Sequence, residues 1–446
     1  MTTTQTDSET GHRLLLARGF QWLFGAEGDP YALVLRAEND DRAELARDIR
    51  ERGPLYRSAI GCWVTAHHEI GARILADARF GIRHADIDGP QQHPLSLDDF
   101  VTDEDVMLCH LITLDDVFIG HEHDYYQRLG ALAHPLIEEA LDAHRSTVAE
   151  IAGRLVDQAL ESRSFDLAGD FARPLAAEAA ARLLGIPGPL RDRFARLSED
   201  LAAALDAEVC AQRYETVRAL RGAADELREL LSAGTTTPGG TGADSGLLSR
   251  LNTLTGNGSG GRDDDPVAIG TLIATAGVEV TAGLIANSAA ALTGTPESWT
   301  RLASEPSLAP RVVAETLRFA PPVQIEARIA HADIELAGQS ITAGSSVIVW
   351  VAGAGRDPEA FYDPDRFDLD RFADEGPDLG GRGARGLALP AGTPAALVAP
   401  LAVPAAATAL GVLAERLPEL RRTGPVLHRV RSAVQRGVLR LPVSAW

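Results

Sequence analysis

Hydrophobic and polar positions follow three regimes along this chain of 446 residues. From Tyr125 to Leu231, Ala, Leu, Arg and Glu recur at helical spacing. The run breaks at Gly185-Ile186-Pro187-Gly188, so it predicts a succession of helices. Asp265-Pro266 then places an N-cap acid before Pro at the first helical position. The segment it opens is apolar nearly all round as far as Gly294, with Glu279 its only charge. At about 1.5 Å per residue it predicts a helix of roughly 40 Å crossing the middle of the fold. Thr295-Pro296 starts a further helix, and another spans about Ala309 to Phe319, ended by Pro321-Pro322. Short strand-like runs follow at Val323 to Ile329, Ile334 to Leu336 and Ser346 to Val351, and then an aromatic, charged coil over 356–372. Last comes an uncharged stretch, Gly386 to Ala414, whose only hydroxyls are Thr393 and Thr408. Pro390, Gly392, Pro394 and Pro400 break its first half, and helical periodicity begins at Leu401. This predicts an irregular apolar loop feeding a buried helix. Short strands close the chain from Arg421 to Leu441.

Residues 1–39 read as an N-terminal arm packed on the body: a helical start, the aromatic pair Trp22 and Phe24, then a Gly28-Asp29-Pro30 turn. Asp40 to Arg52 is an amphipathic helix stopped by Gly53-Pro54, residues 55–65 a short hairpin, and His67-His68 opens another helix ending near Arg79-Phe80. The acidic, turn-rich stretch 85–120 reads as a surface loop with a short helix. The Gly-, Ser- and Thr-rich stretch 233–265 reads as a flexible loop inside one domain, because similar helices flank it. The fold class is mainly α with a small β portion, a single large domain over 40–446.

Composition narrows the function. The formal net charge of −21 argues against nucleic-acid binding and against an anionic membrane surface. The apolar share of 45% supports a large core without disulfides. Cys62, Cys109 and Cys210 lie far apart with no Cys-x-x-Cys pair, which disfavours a disulfide framework or zinc site and suits a reducing cytoplasm. The first residues lack the basic and apolar regions of a signal peptide. Gly386 to Ala414 is long enough to span a bilayer, yet its four prolines and many alanines favour a buried soluble segment.

Glu315 and Arg318 are three apart, hence on one helical face. They precede Pro-Pro, strands, and a coil containing Arg366. That order resembles the cytochrome P-450 family of haem-thiolate monooxygenases, from about residue 40 to Trp446. The family's Glu-x-x-Arg pair locks onto an Arg in a later Pro-x-Arg-Phe coil. The resemblance therefore implies a structural ionic cluster of Glu315, Arg318 and Arg366.

The family holds haem through Cys in a Phe-Gly-x-Gly-x-His/Arg-x-Cys-x-Gly loop, which aligns here on Leu389 to Val398. The Cys position is Ala396 and the His/Arg position that meets a propionate is Pro394. Pro390 and Val398 replace two glycines, and Gly392 retains the third. Alanine cannot ligate iron. In the central helix the family's acid is kept as Glu279, but the oxygen-activating hydroxyl is replaced by Val280. Thr281 lies about 100° round the helix. The propionate clamp is matched loosely by His121 or His123 with Arg128, Gln127 replacing a cation. His331 and His428 sit in β or coil segments, and His67-His68 has only weak metal spacing.

Haem-free members that look like this are the auxiliary proteins of antibiotic deoxysugar glycosyltransferases. The segment with Arg18-Gly19, Trp22 and Gly28-Asp29-Pro30-Tyr31 resembles that branch too. The resemblance implies no catalytic residue, no cofactor, no metal and a cytoplasmic location. Its partner would be a glycosyltransferase attaching a deoxy or deoxyamino sugar to a macrolide or anthracycline aglycone, in a heteromer that could include a homodimer of this chain. Trp22, Phe24 and Trp63 are candidate anchors, with burial in the chain's own core the simpler fate of each. Two rival readings stay open: a haem enzyme with an atypical ligand, and a module binding an aglycone in the vacated haem cavity.

Overall fold

The protein is described here by a computed structural model covering residues 7–38, 41–83, 117–162, 164–207, 209–236, 246–256, 261–373 and 387–445. Most of the expected acidic loop 85–120, with Cys109, lies outside these residues, as do the Gly-Arg-rich segment 374–386 and positions 237–245 and 257–260.

Five helices position the site: α1 (Asp7–Ala26), α2 (His123–Leu160), α3 (Asp265–Leu292), α4 (Ala309–Phe319) and α5 (Pro394–Arg416). α3 is the central one. Its residues from Ala268 to Val278 are buried, and it widens into a π turn at Ile273–Gly277. α5 packs between α2, α3 and α4. α3 and α5 are long and apolar enough to cross a membrane by length and composition, but 89% and 56% of their apolar windows are buried in the fold, as in core helices.

The β portion is small. Strands β1 (Tyr56–Arg57), β2 (Trp63–Thr65), β3 (Phe80–Gly81), β4 (Ser164–Asp166), β5 (Ile325–Ala330), β6 (Ile334–Leu336), β7 (Gln339–Ile341) and β8 (Ser346–Trp350) precede α5. Strands β9 (Arg421–Arg422), β10 (Leu427–His428), β11 (Val438–Arg440) and β12 (Pro442–Ser444) follow it. The largest sheet runs β1-β2-β8-β5-β3. β2 pairs parallel with β8, Trp63 opposite Val347, and β5 antiparallel with β8, Ile325 opposite Trp350. β10 and β11 form a hairpin that reaches back to α3.

Besides β4, which interrupts the expected helical run, three elements depart from the expectations. Leu247–Gly256, inside the expected flexible loop, is helical and buries Leu247, Leu248 and Leu251. α1 runs unbroken through Trp22 and Phe24. α5 begins at Pro394, not at Leu401. Proline at the first helical position has its φ already set and lacks the N–H that would go unbonded there. Thr393 Oγ1 then accepts from the Ala396 N–H at 3.2 Å, closing the cap. Pro400 and Pro404 sit inside the helix, each removing one backbone bond, and the apolar face buried on both sides offsets that loss.

α1 packs on the body through buried Leu14 and Ala17, and Gln21 Nε2 donates to the Val209 carbonyl at 3.2 Å. Asp29 explains the motif after it. Its carboxylate accepts from Ala32 N at 2.9 Å, capping the helix Pro30–Arg36, and from Ser58 Oγ at 3.0 Å and Ala59 N at 2.9 Å.

Candidate functional site

The Glu315–Arg318 pair is a closed ionic cluster. α4 sets the two residues on one face, and neither side chain is exposed. Arg318 donates to Glu315 through Nε at 2.9 Å and Nη2 at 2.6 Å, and its other N–H bonds reach the carbonyls of Gly355, Pro364 and Arg366. Glu315 Oε1 also accepts from Asp368 N at 2.9 Å and Arg371 Nε at 3.2 Å. Arg366 therefore joins through its carbonyl alone, and its side chain is exposed. The third cation of the cluster is Arg371, where Arg366 was expected. The sequence holds Asp-Arg-Phe twice, at 365–367 and 370–372, and only the turn between them decides which arginine faces inward. With its oxygens and N–H groups taken up internally, the cluster fastens the coil to α4 and has nothing left for chemistry.

At the start of α5 the chain makes two left-handed turns, Leu389 at φ 56 and Gly392 at φ 75. Gly392 has a reason to be glycine beyond that angle. A Cβ there would stand 2.7 Å from His123 Nδ1, which donates to the Gly392 carbonyl at 2.8 Å. Ala396 is the third residue of the first helical turn, a half-buried methyl whose N–H is taken by Thr393. Val398 is fully buried, and a Cβ on Gly277 in the π turn would lie 3.6 Å from it.

The residues at this place do not fit haem. Ala396 offers no donor atom to iron. The nearby imidazoles are held by backbone carbonyls, His123 by Gly392 and Phe80, and His134 by Leu397. Cys62 and Cys210 are buried elsewhere in the core. A cavity of about 70 Å³ touches Thr393, Pro394 and Ala395, with Tyr126, Ile325 and Arg328 on its walls. A drug-sized ligand takes roughly 300 Å³ or more.

The central helix is equally committed. Glu279 pairs with Arg429 of the β10–β11 hairpin at 2.8 and 3.4 Å. Burial works to lower the Arg429 pKa, but the Glu279 charge and hydrogen bond leave it raised. Val280 is fully buried, and Thr281 Oγ1 turns back to the Gly277 carbonyl at 2.8 Å. Beyond the hairpin, buried Asp206 accepts from Ser432 Oγ at 2.7 Å, Val434 N at 2.9 Å and Gln435 N at 3.2 Å. Desolvation pushes its pKa up to about 6 against those hydrogen bonds.

Of the remaining candidates, Arg128 pairs with Asp265 at the start of α3 and lies over the Tyr125 ring, on which His121 stacks at 4.2 Å. His331 meets the Arg83 carbonyl and His428 the Arg436 carbonyl. His67 lies near Asp357 and Glu359, but its Nε2 faces the Arg50 carbonyl, and Asp357 accepts from His68 N. Arg371, Arg429 and Asp206 had no sequence signal beyond the doubled Asp-Arg-Phe, because their partners are 56, 150 and about 226 residues distant.

The cytochrome P450 family profile matches residues 300–380, which span the ionic cluster and strands β5 to β8. Protein AknT of Streptomyces galilaeus is 45% identical over 99% of this chain and 96% of its own length. Protein DesVIII of Streptomyces venezuelae is 37% identical over 98% and 94%. A putative cytochrome P450 140 of Mycobacterium bovis is 31% identical over 72% and 71%. Among solved structures, ligand-free CYP164A2 of Mycobacterium smegmatis superposes with a TM-score of 0.70 at 28% identity, covering 93% of this chain and 99% of that one.

Proposed function

The chain belongs to the cytochrome P450 family, and from that premise we propose that it is a non-catalytic, haem-free auxiliary protein. In this reading it binds a partner glycosyltransferase in the cytoplasm and holds it active while that enzyme attaches a nucleotide-activated deoxy or deoxyamino sugar to a polyketide aglycone. The group of relatives that includes AknT and DesVIII, P450-like auxiliary proteins of glycosyltransferases in anthracycline and macrolide pathways, supports this. The observation that carries the proposal is the first turn of α5. Thr393 caps a helix where the family places its iron-binding loop, and the ligand position is the half-buried methyl of Ala396. The acid of α3 supports it further, since Glu279 is bound to Arg429 and not free to move protons.

Binding to the native transferase stabilises it by mass action and requires no chemistry. The test pairs two measurements. Co-expression with the partner transferase is expected to raise sugar transfer over the transferase alone. The purified chain is expected to show no Soret band when supplied with haem. Equal transfer with and without the chain overturns the activator role. A stoichiometric Soret band that shifts with carbon monoxide on reduction overturns the haem-free one.

A further inference from the structure

His67 lies where three distant parts of the chain meet. It follows β2 and precedes the helix His68–Ala76. Arg50 reaches it from the last turn of the helix Arg42–Glu51, and Asp357 and Glu359 belong to the coil after β8.

The neighbours of His67 fix the state of its ring. Nε2 lies 3.3 Å from the Arg50 carbonyl, and a carbonyl only accepts, so Nε2 carries a proton. In the neutral ring Nδ1 then bears the lone pair, the tautomer that backbone carbonyls impose on metal-bound histidines. Nδ1 stands 3.8 Å from Asp357 Oδ2, too far for a hydrogen bond. Asp357 is buried, at 2% exposure, and among the described residues this imidazole is its one ion-pair contact. Its two oxygens accept from the backbone N–H groups of His68 at 2.9 Å and Glu359 at 3.1 Å. Arg50 interacts with the Asp357 charge at longer range, while its Nη1 donates to the Gly353 carbonyl at 2.9 Å. A buried carboxylate needs a partner of opposite charge. A proton on Nδ1 leaves this pair too long to bond, whereas a metal ion bonds to both atoms.

Glu359 adds a third donor. It is exposed, which gives an ion a path from solvent. One donor atom from each of His67, Asp357 and Glu359 lies within 4.8 Å of the other two. Zinc bonds to nitrogen and oxygen span about 2.0–2.2 Å, so an ion at their centre requires the side chains to close in by less than about 1 Å.

We propose that His67 Nδ1, Asp357 and Glu359 bind one divalent transition-metal ion of the zinc class, with water completing a tetrahedral site. The donor set decides the class. Imidazole with two carboxylates suits zinc and its neighbours, whereas magnesium and calcium take oxygen ligands. The ion clamps the segment after β2 to the coil after β8. Neither haem nor a glycosyltransferase enters the inference, so its success or failure is independent of the auxiliary role.

The full-length chain is stripped with a chelator and dialysed at neutral pH against Zn2+, with Mg2+ as the control, and bound metal is counted by mass spectrometry. The expected result is one zinc ion per chain, held at least tenfold more tightly than Mg2+, and a thermal midpoint higher with Zn2+ than without. His67→Gln keeps a donor for the Arg50 carbonyl and Glu359→Gln changes an exposed residue, so both variants should fold. Each should weaken zinc binding tenfold or more and remove the midpoint shift. His428→Gln, at an unrelated histidine, should change neither. Absence of retained zinc overturns the proposal. So does retention that survives His67→Gln or Glu359→Gln, which would place the ion elsewhere, or Mg2+ binding as tight as that of Zn2+.

Discussion

At the scale of single residues, the ionic cluster makes a sharp distinction between two arginines that look alike in sequence. Truncating Arg318 leaves Glu315 charged and buried, and should cost about 3–5 kcal/mol. Arg371→Ala removes one of the bonds to Glu315 and should cost less, about 1–3 kcal/mol. Arg366→Ala keeps the carbonyl that matters and should stay within about 0.5 kcal/mol. Denaturant melts of the three variants check the order. Asp206 gives a second prediction, through pH. Its folded pKa of about 6 lies above the ordinary 3.8, so the folded state holds the proton more tightly. The stability this contributes is present at acid pH and is lost as pH rises through about 6. Asp206→Asn keeps an acceptor for the Val434 and Gln435 N–H groups and cannot ionise. Relative to the native chain it should therefore gain stability between about pH 4 and 6, then hold level, the gain being on the order of 2–3 kcal/mol. Melts of both proteins across that interval read the difference. A flat difference would mean that Asp206 titrates near its ordinary value.

At the scale of elements, much was legible because long helices advertise themselves. The N-cap acid and proline at Asp265-Pro266 mark the start of α3, and Pro321-Pro322 follows the end of α4. α5 was legible only from Leu401 onward. Two prolines within the helix, one at its first position and one before it resemble a loop to any local rule, and the cap that decides otherwise is a single hydroxyl on Thr393. β4 was hidden in a helical run because its pairing partner, β12, lies at the far end of the chain. The Glu279–Arg429 pair was illegible for the same reason, being formed by a helix and a hairpin 150 residues apart. The form of α5 also carries a prediction. Ala396→Cys alone should not yield stoichiometric haem binding, because the new thiol would sit inside a capped helical turn, beside buried Val398 and an occupied His123. Absorbance of the variant purified in the presence of excess haem checks this, and a full Soret band would show the turn to be easily remodelled.

At the scale of the whole molecule, one large core couples helices from every part of the chain, and the start of α5 and the middle of α3 are each tied to distant elements by half-buried polar bonds. A protein of this kind should melt as a unit, and a bound partner should raise its midpoint. At a free partner concentration a hundred times the dissociation constant, the linkage amounts to about 2.7 kcal/mol. Thermal melts of the chain with and without the proposed glycosyltransferase partner test this, and an unchanged midpoint at saturating transferase would count against a stable complex. The Thr393 cap bears on the history of such a fold as well. Once a loop that gripped a metal has wound into helix, the sites around it accept substitutions suited to helix: prolines, alanines, a valine against the π turn. Each of these forecloses a step back. Regaining the lost ligand would then require several changes at once, none of them useful alone, so selection acting one mutation at a time would meet a ratchet. Descendants of this chain should diversify outward, over surfaces and side cavities, while the first turn of α5 stays wound.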